Sequence, residues 1–491
     1  DNSYKNIALL SRLNHQGLLQ EIERRQAKLE VSDSSVIKLR DEIKVLTNQI
    51  SSLRNNPQRI KDLINEKRAK EKILYFDTPA LRPRIVEVQQ VANAIPEDGV
   101  LVEFQKYDKN WKQPFKELEP NESYLAITLK SDGLIDVIDL GSAEIIEKKI
   151  NEALFSTKQG NESALELWNE VGDLIIMPLR DSILGHKKVF ISPDAYLNRI
   201  PFSALGAIKG EGLLTDDLDL HLLTTGRELL DFEDSSDHKN SQPLVLANPD
   251  FEKRNRSMIS SKTRSNDGSN QQNRLLLTKD QKWGELLWSG KEGEVIKELI
   301  DAELLVDKDA TAYAIQNKEI APKILHIASH AFYNFQLSPV FESSLQNSGI
   351  VLAGANKFNT YASDDGYLTA LEISKLNWDG VELVVISGCQ SGLGDLPFGE
   401  GIYGLKRSIA VAGAKSSLLS LWKVDDEATA VFMQTFYQKL MSGLNKADAL
   451  ALTQKDFRIG TLKSNDPGND WRKPFYWAAF QLSGDWRPIK L

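Results

Sequence analysis

Two residues of this chain, His330 and Cys389, have the side chains needed for nucleophilic catalysis. Cys389 is the only cysteine of the chain. An imidazole that accepts the proton of a neighbouring thiol generates a thiolate, which is the reactive form of cysteine. A lone cysteine can also be a small buried hydrophobe, so a His–Cys dyad depends on the fold that surrounds it.

The segments that precede the two residues predict how they meet. Residues 323–328 and 382–386 are nearly continuous apolar runs, typical of strands buried on both faces of a parallel sheet. Ligand sites in open α/β sheets lie beyond the carboxyl ends of the strands, where both residues would be placed. Gly388 permits a sharp turn and a close approach of a substrate backbone. The sequence therefore predicts a dyad above one edge of a sheet.

His326 raises the alternative of a metal site, because it lies four residues before His330. That spacing brings two histidines together on a helix, but this segment has the pattern of a strand. We interpret His326 as a core histidine with satisfied hydrogen bonds, and we predict no structural metal and no cofactor. The remaining histidines are not clustered with other ligands; they are His15, His186, His221 and His238.

The composition argues against several classes of protein. The chain has 491 residues and a formal net charge of −9, which disfavours a nucleic-acid-binding surface built on basic residues. No segment approaches the roughly 20 apolar residues that span a bilayer, and no leader is evident. A single cysteine excludes an intrachain disulfide framework and a cysteine-based zinc cluster. We expect a cytoplasmic protein, and the start at Asp1 suggests that an upstream segment is missing.

The pattern along the chain predicts three parts. Residues 1–78 read as a helical hairpin or coiled-coil arm, either a structural support or a partner-binding element. Residues 79–238 and 239–491 each alternate strands with helices, which indicates two α/β units. Within the second unit, residues 252–274 contain almost no apolar side chains and predict a mobile loop.

Several motifs resemble the CHAT-domain proteins, a bacterial branch of the caspase and separase clan of cysteine peptidases. The similarity runs from about Val100 to the C-terminus and includes the histidine motif LHIASHA at 325–331 and the cysteine motif ELVVISGCQSGLG at 382–394. The spacing of about sixty residues between His330 and Cys389 is close to that of caspases. Further motifs occur in the family order, namely SGIVLAGAN at 348–356, DDGYLTALEI at 364–373, GEGIYGL at 399–405, SLWKVDDEAT at 420–429 and PFYWAAF at 474–480.

The resemblance implies a caspase-like three-layer αβα sandwich, with a degenerate copy followed by an active copy. It implies a cysteine endopeptidase that cleaves a protein partner in a signalling, developmental or defence pathway. The helical lead-in is similar to that of members found behind tetratricopeptide repeats, so an upstream repeat domain or another protein could act as activator. Two departures stand out: Ala331 replaces the usual glycine after the histidine, and Gln390-Ser391 follow the cysteine.

The chemistry expected of such a site assigns further roles. The backbone N–H groups of Ala331 and Cys389 could hold the oxyanion of a tetrahedral intermediate. Carboxylates on loops beside the dyad could favour a basic residue before the cleaved bond, or could be turn formers; they are Asp364, Asp365, Asp395 and Glu400. Residues 425–427 are acidic and should open a helix, where their charge opposes the macrodipole.

Two other functions remain open. A catalytically silent interaction scaffold would keep the same fold and lose turnover. A small-molecule acyltransferase or hydrolase would use the same dyad inside a closed pocket.

Overall fold

The structure, a computed structural model, shows a large mixed sheet with helices on its two faces. It describes residues 2–16, 21, 24–25, 38–39, 42–43, 45–46, 57–77, 84–110, 121–232, 239–253, 282–333, 345, 348–357, 365–388 and 400–489. The strands in these segments are β1 Gly99–Asp108, β2 Glu122–Lys130, β3 Ile135–Ser142, β4 Lys188–Ser192, β5 Asp219–Leu222, β6 Leu244–Pro249, β7 Glu303–Asp307, β8 Ile324–Ala328, β9 Ala331–Tyr333, β10 Ser348–Val351, β11 Tyr367–Thr369, β12 Leu383–Ile386, β13 Ser416–Ser420 and β14 Phe480–Gly484.

The described helices follow the same chain order. They are α1 Asn2–His15, α2 Pro57–Asp77, α3 Val88–Ala94, α4 Ala143–Lys158, α5 Ala164–Ile175, α6 Arg180–Ile183, α7 Leu214–Asp217, α8 Ser289–Ile300, α9 Ala312–Gln316, α10 Ala370–Ile373, α11 Glu400–Ala412, α12 Asp426–Met441, α13 Lys446–Arg458 and α14 Pro474–Trp477. Short 3₁₀ helices connect some of them, at Met177–Leu179, Ala195–Arg199, Phe202–Ala204, Gly226–Leu230 and Ala355–Lys357.

Eleven of the strands form one sheet in the order β3-β2-β1-β4-β5-β14-β13-β12-β8-β6-β7. Strands β1, β4, β5 and β14 are parallel to each other, and so are β13, β12, β8, β6 and β7. The two groups join where β13 pairs antiparallel with β14. Their carboxyl ends therefore lie at opposite edges of the sheet. Strands β9, β10 and β11 form a separate antiparallel sheet.

Alternate residues of the central strands bury opposite faces. Ile324 and Ala328 of β8 contribute to one large core with helices α4, α5, α12 and α13, whereas Leu325 and Ile327 contribute to a second core beneath α9, α10 and α11. A third core, on the side of Leu101, holds α1 and α3 against the first group of strands. Because both faces are covered, the predicted αβα class of fold is confirmed.

The predicted strands 323–328 and 382–386 match β8 and β12 within one residue at each end. The apolar pattern of residues 162–184 alone predicts one helix, but the 3₁₀ turn Met177–Leu179 interrupts it, because Pro178 lacks the N–H that a helix requires. Several elements were not predicted, among them β5, β7, β14 and α13. Of these, β7 has half-exposed residues and lies at the sheet edge, so it lacks the apolar run of a central strand.

The N-terminal helices are only partly described. Helix α2 contains the predicted second helix of the arm, and Lys70 of this helix pairs with Glu42 at 2.7 Å, so the two helical segments touch. Helix α1 packs onto the first group of strands through Leu9 and Leu13, which are fully buried. The described helices include none that is both long and apolar enough to cross a bilayer. The predicted loop 252–274 lies outside the described residues from position 254 onward.

The proposed division at residues 238 and 239 separates the two α/β units in sequence but not in the sheet. The last strand, β14, lies between β5 of the first unit and β13 of the second. Arg12 of α1 forms a buried ion pair with Glu103 of β1 at 3.1 Å, and Glu103 is fully buried. The N-terminal segment is thus joined to the core of the first unit by charge as well as by apolar packing.

We predict that Arg12→Ala lowers the free energy of unfolding by about 3 kcal/mol, because it leaves the carboxylate of Glu103 buried without its cation. The remaining donors to Glu103 are the hydroxyl of Thr225 and the N–H of Gly226, which hold the loss near the lower end for a broken buried pair. The matched control is Lys5→Ala, whose partly exposed pair with Asp136 should contribute less than about 1 kcal/mol. Urea unfolding measures both; equal losses would contradict the prediction.

Candidate functional site

Four neighbouring strands end at the same edge of the sheet, where His330 and Gly388 lie. Strand β8 runs into Ser329 and His330, and its neighbour β12 runs into Ser387 and Gly388. The N–H of Ser387 donates to the carbonyl of Ile327 at 3.1 Å, so the two chain segments remain paired at the sheet edge. Strands β6 and β13 flank this pair and end at the same edge.

A backbone carbonyl orients the ring of His330. Its Nε2 lies 2.8 Å from the carbonyl oxygen of Gly284, so Nε2 donates a hydrogen bond. In a neutral imidazole with the proton on Nε2, Nδ1 is the basic nitrogen. Burial lowers the pKa of His330 below its usual value, and the positive charge of Lys423 acts in the same direction, against the hydrogen bond to Gly284. His330 is therefore held as a neutral base.

Aromatic rings enclose the same imidazole. The ring of Phe251, which follows β6, lies 5.3 Å from that of His330, and the ring of Trp283 lies 5.3 Å away as well. The indole N–H of Trp283 donates to the hydroxyl of Tyr367 at 3.0 Å, and its backbone N–H donates to Asn356 at 2.9 Å. This aromatic cluster links His330 to the small sheet of β9, β10 and β11 and restricts how the ring can rotate.

Gly388 brings the end of β12 against the end of β8. A Cβ atom at this position would lie 1.9 Å from the carbonyl oxygen of Ser329, a distance that no side chain tolerates. The close approach of a substrate backbone at Gly388 stays a prediction; the neighbour within the structure is the backbone of Ser329, directly after β8. The residue directly after this contact is Cys389, which lies outside the described residues, as do positions 390–399.

The cleft beside His330 has acidic groups that sequence reasoning did not assign to it. Its lining includes His330, Ser387 and Gly388 together with Glu292, Lys423 and Asp426. Asp426 is half-buried, its carboxylate accepts the N–H of Trp288 at 2.8 Å, and burial raises its pKa. Asp425 caps helix α12 by accepting the N–H of Ala428, which confirms the predicted helix opening. The position of Asp426 in the cleft could not be predicted from the sequence, because an acidic residue in the first turn of a helix already has a structural explanation.

His326 is the core histidine that the sequence predicts. It is fully buried, its Nε2 lies 2.9 Å from a carboxylate oxygen of Glu292, and its Nδ1 lies 3.3 Å from the hydroxyl of Tyr437. Both ring nitrogens have partners. Side chains alternate between the two faces of β8, so the ring of His326 lies on the face opposite to the core that contains Leu325. Within the described segments, no group of three or more His, Cys, Asp or Glu side chains has a metal-binding arrangement.

The other predicted site residues fall in three groups. Ala331 begins β9 directly after His330 and is buried. Asp365 is buried, and its carboxylate accepts the N–H of Tyr367 at 3.1 Å, which is the contact of a turn former. Glu400 is the first residue of α11. Asp364 and Asp395 lie outside the described residues, as Cys389 does.

Comparison with known proteins agrees with this architecture. Residues 165–485 match the sequence profile of the CHAT domain, and the chain belongs to the CHAT domain family. It is similar to tetratricopeptide repeat protein 28 of mouse (Mus musculus) and of human (Homo sapiens), with 25% and 26% identity over 222 residues. That alignment covers 41% of this chain but only 9% of the mouse protein and 8% of the human one.

The chain also resembles two solved structures, both with TM-scores below 0.5. The separase of the Saccharomyces cerevisiae separase–securin complex superposes with a TM-score of 0.44 and 9% identity, covering 92% of this chain and 37% of that one. The Arg-specific cysteine proteinase gingipain R has a TM-score of 0.35 and 9% identity, covering 71% of this chain and 76% of that one.

We predict that Gly388→Ala destabilises the protein by about 3 kcal/mol or more, because the added methyl group collides with a backbone carbonyl that cannot rotate away. The matched control is Gly284→Ala, whose Cβ meets no atom within 4 Å and which retains the carbonyl that orients His330. Thermal unfolding of both variants tests the prediction. A Gly388→Ala variant as stable as the control would show that the strand ends are farther apart than described.

Proposed function

We propose that this protein is a cysteine endopeptidase whose His330 and Cys389 form the catalytic dyad. The observation that supports it most directly is the orientation of His330, whose Nε2 is bound to Gly284 at the strand edge where Gly388 also lies. That arrangement leaves Nδ1 as the basic nitrogen. Membership of the CHAT family and the adjacent strand ends support the same assignment.

The proposed hydrolysis of a peptide bond uses His330 as the base and Cys389 as the nucleophile. Nδ1 of His330 takes the proton from the thiol of Cys389, and the thiolate attacks the carbonyl carbon of the scissile peptide. The N–H groups of Ala331 and Cys389 stabilise the oxyanion that forms. The intermediate collapses to a thioester while His330 returns the proton to the leaving amine. A water molecule, deprotonated by the same ring, then hydrolyses the thioester and releases the carboxylic acid.

A neutral imidazole suits the first step. The lowered pKa of His330 means that the ring remains unprotonated at neutral pH and can act as a base. Burial is the main cause, and it follows from the aromatic rings of Phe251 and Trp283 that exclude water around the histidine. The hydrogen bond to Gly284 opposes the shift, since a carbonyl partner favours the protonated ring.

The cleft favours a substrate with a basic residue beside the cleaved bond. Asp426 and Glu292 both line it, and Glu292 already pairs with His326. Asp426 uses one oxygen to accept the N–H of Trp288, and a carboxylate has further acceptor capacity for an ammonium or guanidinium group. We infer that Asp426 binds such a side chain. We also propose that the substrate is a protein, that the chain acts in the cytoplasm and that a partner protein activates it.

The scaffold alternative shares every feature of the fold and differs only in turnover. Its distinguishing property is a Cys389 thiol that does not react with a substrate-like electrophile, even beside a correctly oriented His330. The small-molecule alternative differs in the form of its substrate and requires an enclosed pocket. Reactivity of Cys389 toward peptide probes separates the endopeptidase from both.

We predict that a peptide carrying a thiol-reactive electrophile labels Cys389 and that His330→Ala reduces the labelling rate by about 100-fold, the lower range for loss of a general base. Mass spectrometry of the labelled chain gives the rate and the site. Cys389→Ala should abolish both labelling and cleavage while the thermal unfolding curve stays unchanged. The control is His326→Gln, which disturbs a buried histidine outside the dyad. An unmodified protein whose Cys389 is not labelled would support the scaffold, and equal labelling in the His330→Ala variant would contradict the role of His330 as the base.

We further predict that Asp426→Asn slows labelling by a probe ending in arginine by about tenfold, because it removes one charge-assisted hydrogen bond. A probe ending in leucine should react equally with both proteins. The comparison variant is Asp365→Asn, which replaces a predicted pocket residue whose carboxylate accepts the N–H of Tyr367. If Asp365→Asn alone discriminates against the arginine probe, the sequence-based assignment is right and the role of Asp426 is wrong.

A further inference from the structure

A cleft of about 570 Å³ lies at the edge of the sheet opposite to His330. It is placed beyond the carboxyl ends of β5 and β14 and the first residues of β13, where the strand direction reverses. Its walls include α11 on one side and the 3₁₀ helix Gly226–Leu230 on the other. Ligands of open α/β sheets bind at such positions, and the volume is typical of small-molecule sites.

The floor of this cleft carries polar side chains of the sheet. Ser417 of β13 lies opposite Ser483 of β14, and both line the cleft. Their neighbours in the same strands, Leu418 and Leu482, enter the core on the other face, so the two serines point toward the cleft side. No residue in the described segments forms a hydrogen bond with either hydroxyl. Two neighbouring hydroxyls that line a cleft are suited to a polar ligand.

Basic side chains dominate the walls. Seven arginines and lysines line the cleft against five carboxylates, although the whole chain has a net charge of −9. Some of these cations are neutralised within the protein, as Lys415 is by Glu382 at 2.7 Å and Arg487 is by Asp485 at 2.8 Å. The cleft therefore concentrates positive charge on a chain that is acidic elsewhere.

Lys406 of α11 is one of the cleft cations that no carboxylate of the described segments pairs. Across the described part of the chain, no side chain comes within ion-pair or hydrogen-bond distance of its ammonium group. Glu228 is the carboxylate that attracts it most, yet the two are not in contact, and burial lowers the pKa of Lys406 and raises that of Glu228. Lys406 is half-buried, and an ammonium group that is partly removed from water without a partner is destabilised; an anion that enters the cleft would reduce this cost.

We propose that this cleft binds a small organic anion that carries phosphate or carboxylate groups, with Lys406 as the principal cation and Ser417 and Ser483 as hydroxyl ligands. Arg84, at the exposed rim, supplies a guanidinium group that can bind an oxyanion with two parallel hydrogen bonds. The site is separate from the dyad edge and its occupancy does not depend on peptidase activity.

Isothermal titration calorimetry of the whole chain with inorganic pyrophosphate and with citrate, at constant ionic strength, tests this site. We expect saturable binding of at least one anion, and the preferred one identifies the ligand as phosphate- or carboxylate-bearing. Lys406→Gln should weaken binding by about tenfold or more, as the loss of a charge-assisted hydrogen bond implies, whereas Lys406→Arg should retain it. Ser417→Ala combined with Ser483→Ala should weaken it as well.

The matched control is Lys187→Gln, an exposed lysine just before β4 that is distant from the cleft and should bind as the unmodified protein does. Melting temperatures of all variants monitor folding. The proposal is overturned if neither anion gives saturable heat, or if Lys406→Gln binds as tightly as the unmodified protein. Equal weakening in Lys187→Gln would also overturn it, because the effect would then be that of net charge alone.

Discussion

The antiparallel pairing of β13 with β14 determines at which edge of the sheet each group of parallel strands ends. The five parallel strands β13, β12, β8, β6 and β7 end at one edge, and the parallel strands β1, β4, β5 and β14 end at the opposite edge. Both groups need helices on their faces to bury their apolar residues. Residues that follow the carboxyl ends of the strands are not needed to fill the cores between the sheet and its helices. Polar residues can therefore lie there, and the structure has one polar region at each edge of the sheet.

The polar residues at the two edges of the sheet differ in their surroundings. At the edge of β8 and β12, the chain leaves His330 beside a cleft and surrounds it with groups that orient it. At the other edge, Glu103 of β1 and Ser192 of β4 lie side by side, and the guanidinium group of Arg12 fills the space above them. A buried ion pair therefore lies beside the end of β4 in the first unit, whereas His330 follows the end of β8 in the second. The first unit therefore uses its strand ends for structure, while the neighbouring cleft around Lys406 stays open.

The parts of this fold that could be predicted from the sequence are those that depend on local pattern. Strands β4, β8 and β12 are uniform apolar runs, and the helices that cover them have clear apolar stripes, so their positions follow from periodicity alone. Strand β14 could not be found in this way. Its residues alternate in burial, and its place between β5 and β13 depends on pairing with segments more than sixty and more than two hundred positions away.

The candidate site shows the same limit. His330 was recognisable from its place after a strand, but its partners Phe251, Trp283 and Gly284 come from segments that carry no signal of their own. Gly284 contributes only a carbonyl oxygen, which every residue has. Asp426 was assigned to a helix terminus, because its position in the first turn was sufficient reason for a carboxylate. A residue that contributes only its backbone, or whose side chain has two roles, can be assigned to a site only from the folded structure.

The support for His330 has a consequence for how activity could be controlled. The ring is oriented by Gly284 and enclosed by Phe251, and these residues lie at the two ends of the segment that connects β6 to α8. The base is therefore complete only when both ends of one connection pack against the small sheet through Trp283 and Tyr367. Loss of either contact would let water reach the imidazole and would release its orientation, since burial is the main reason for its lowered pKa. Because Phe251 and Gly284 lie in connections rather than in a central strand, a change at either position would alter the support of His330 without separating β8 from β12.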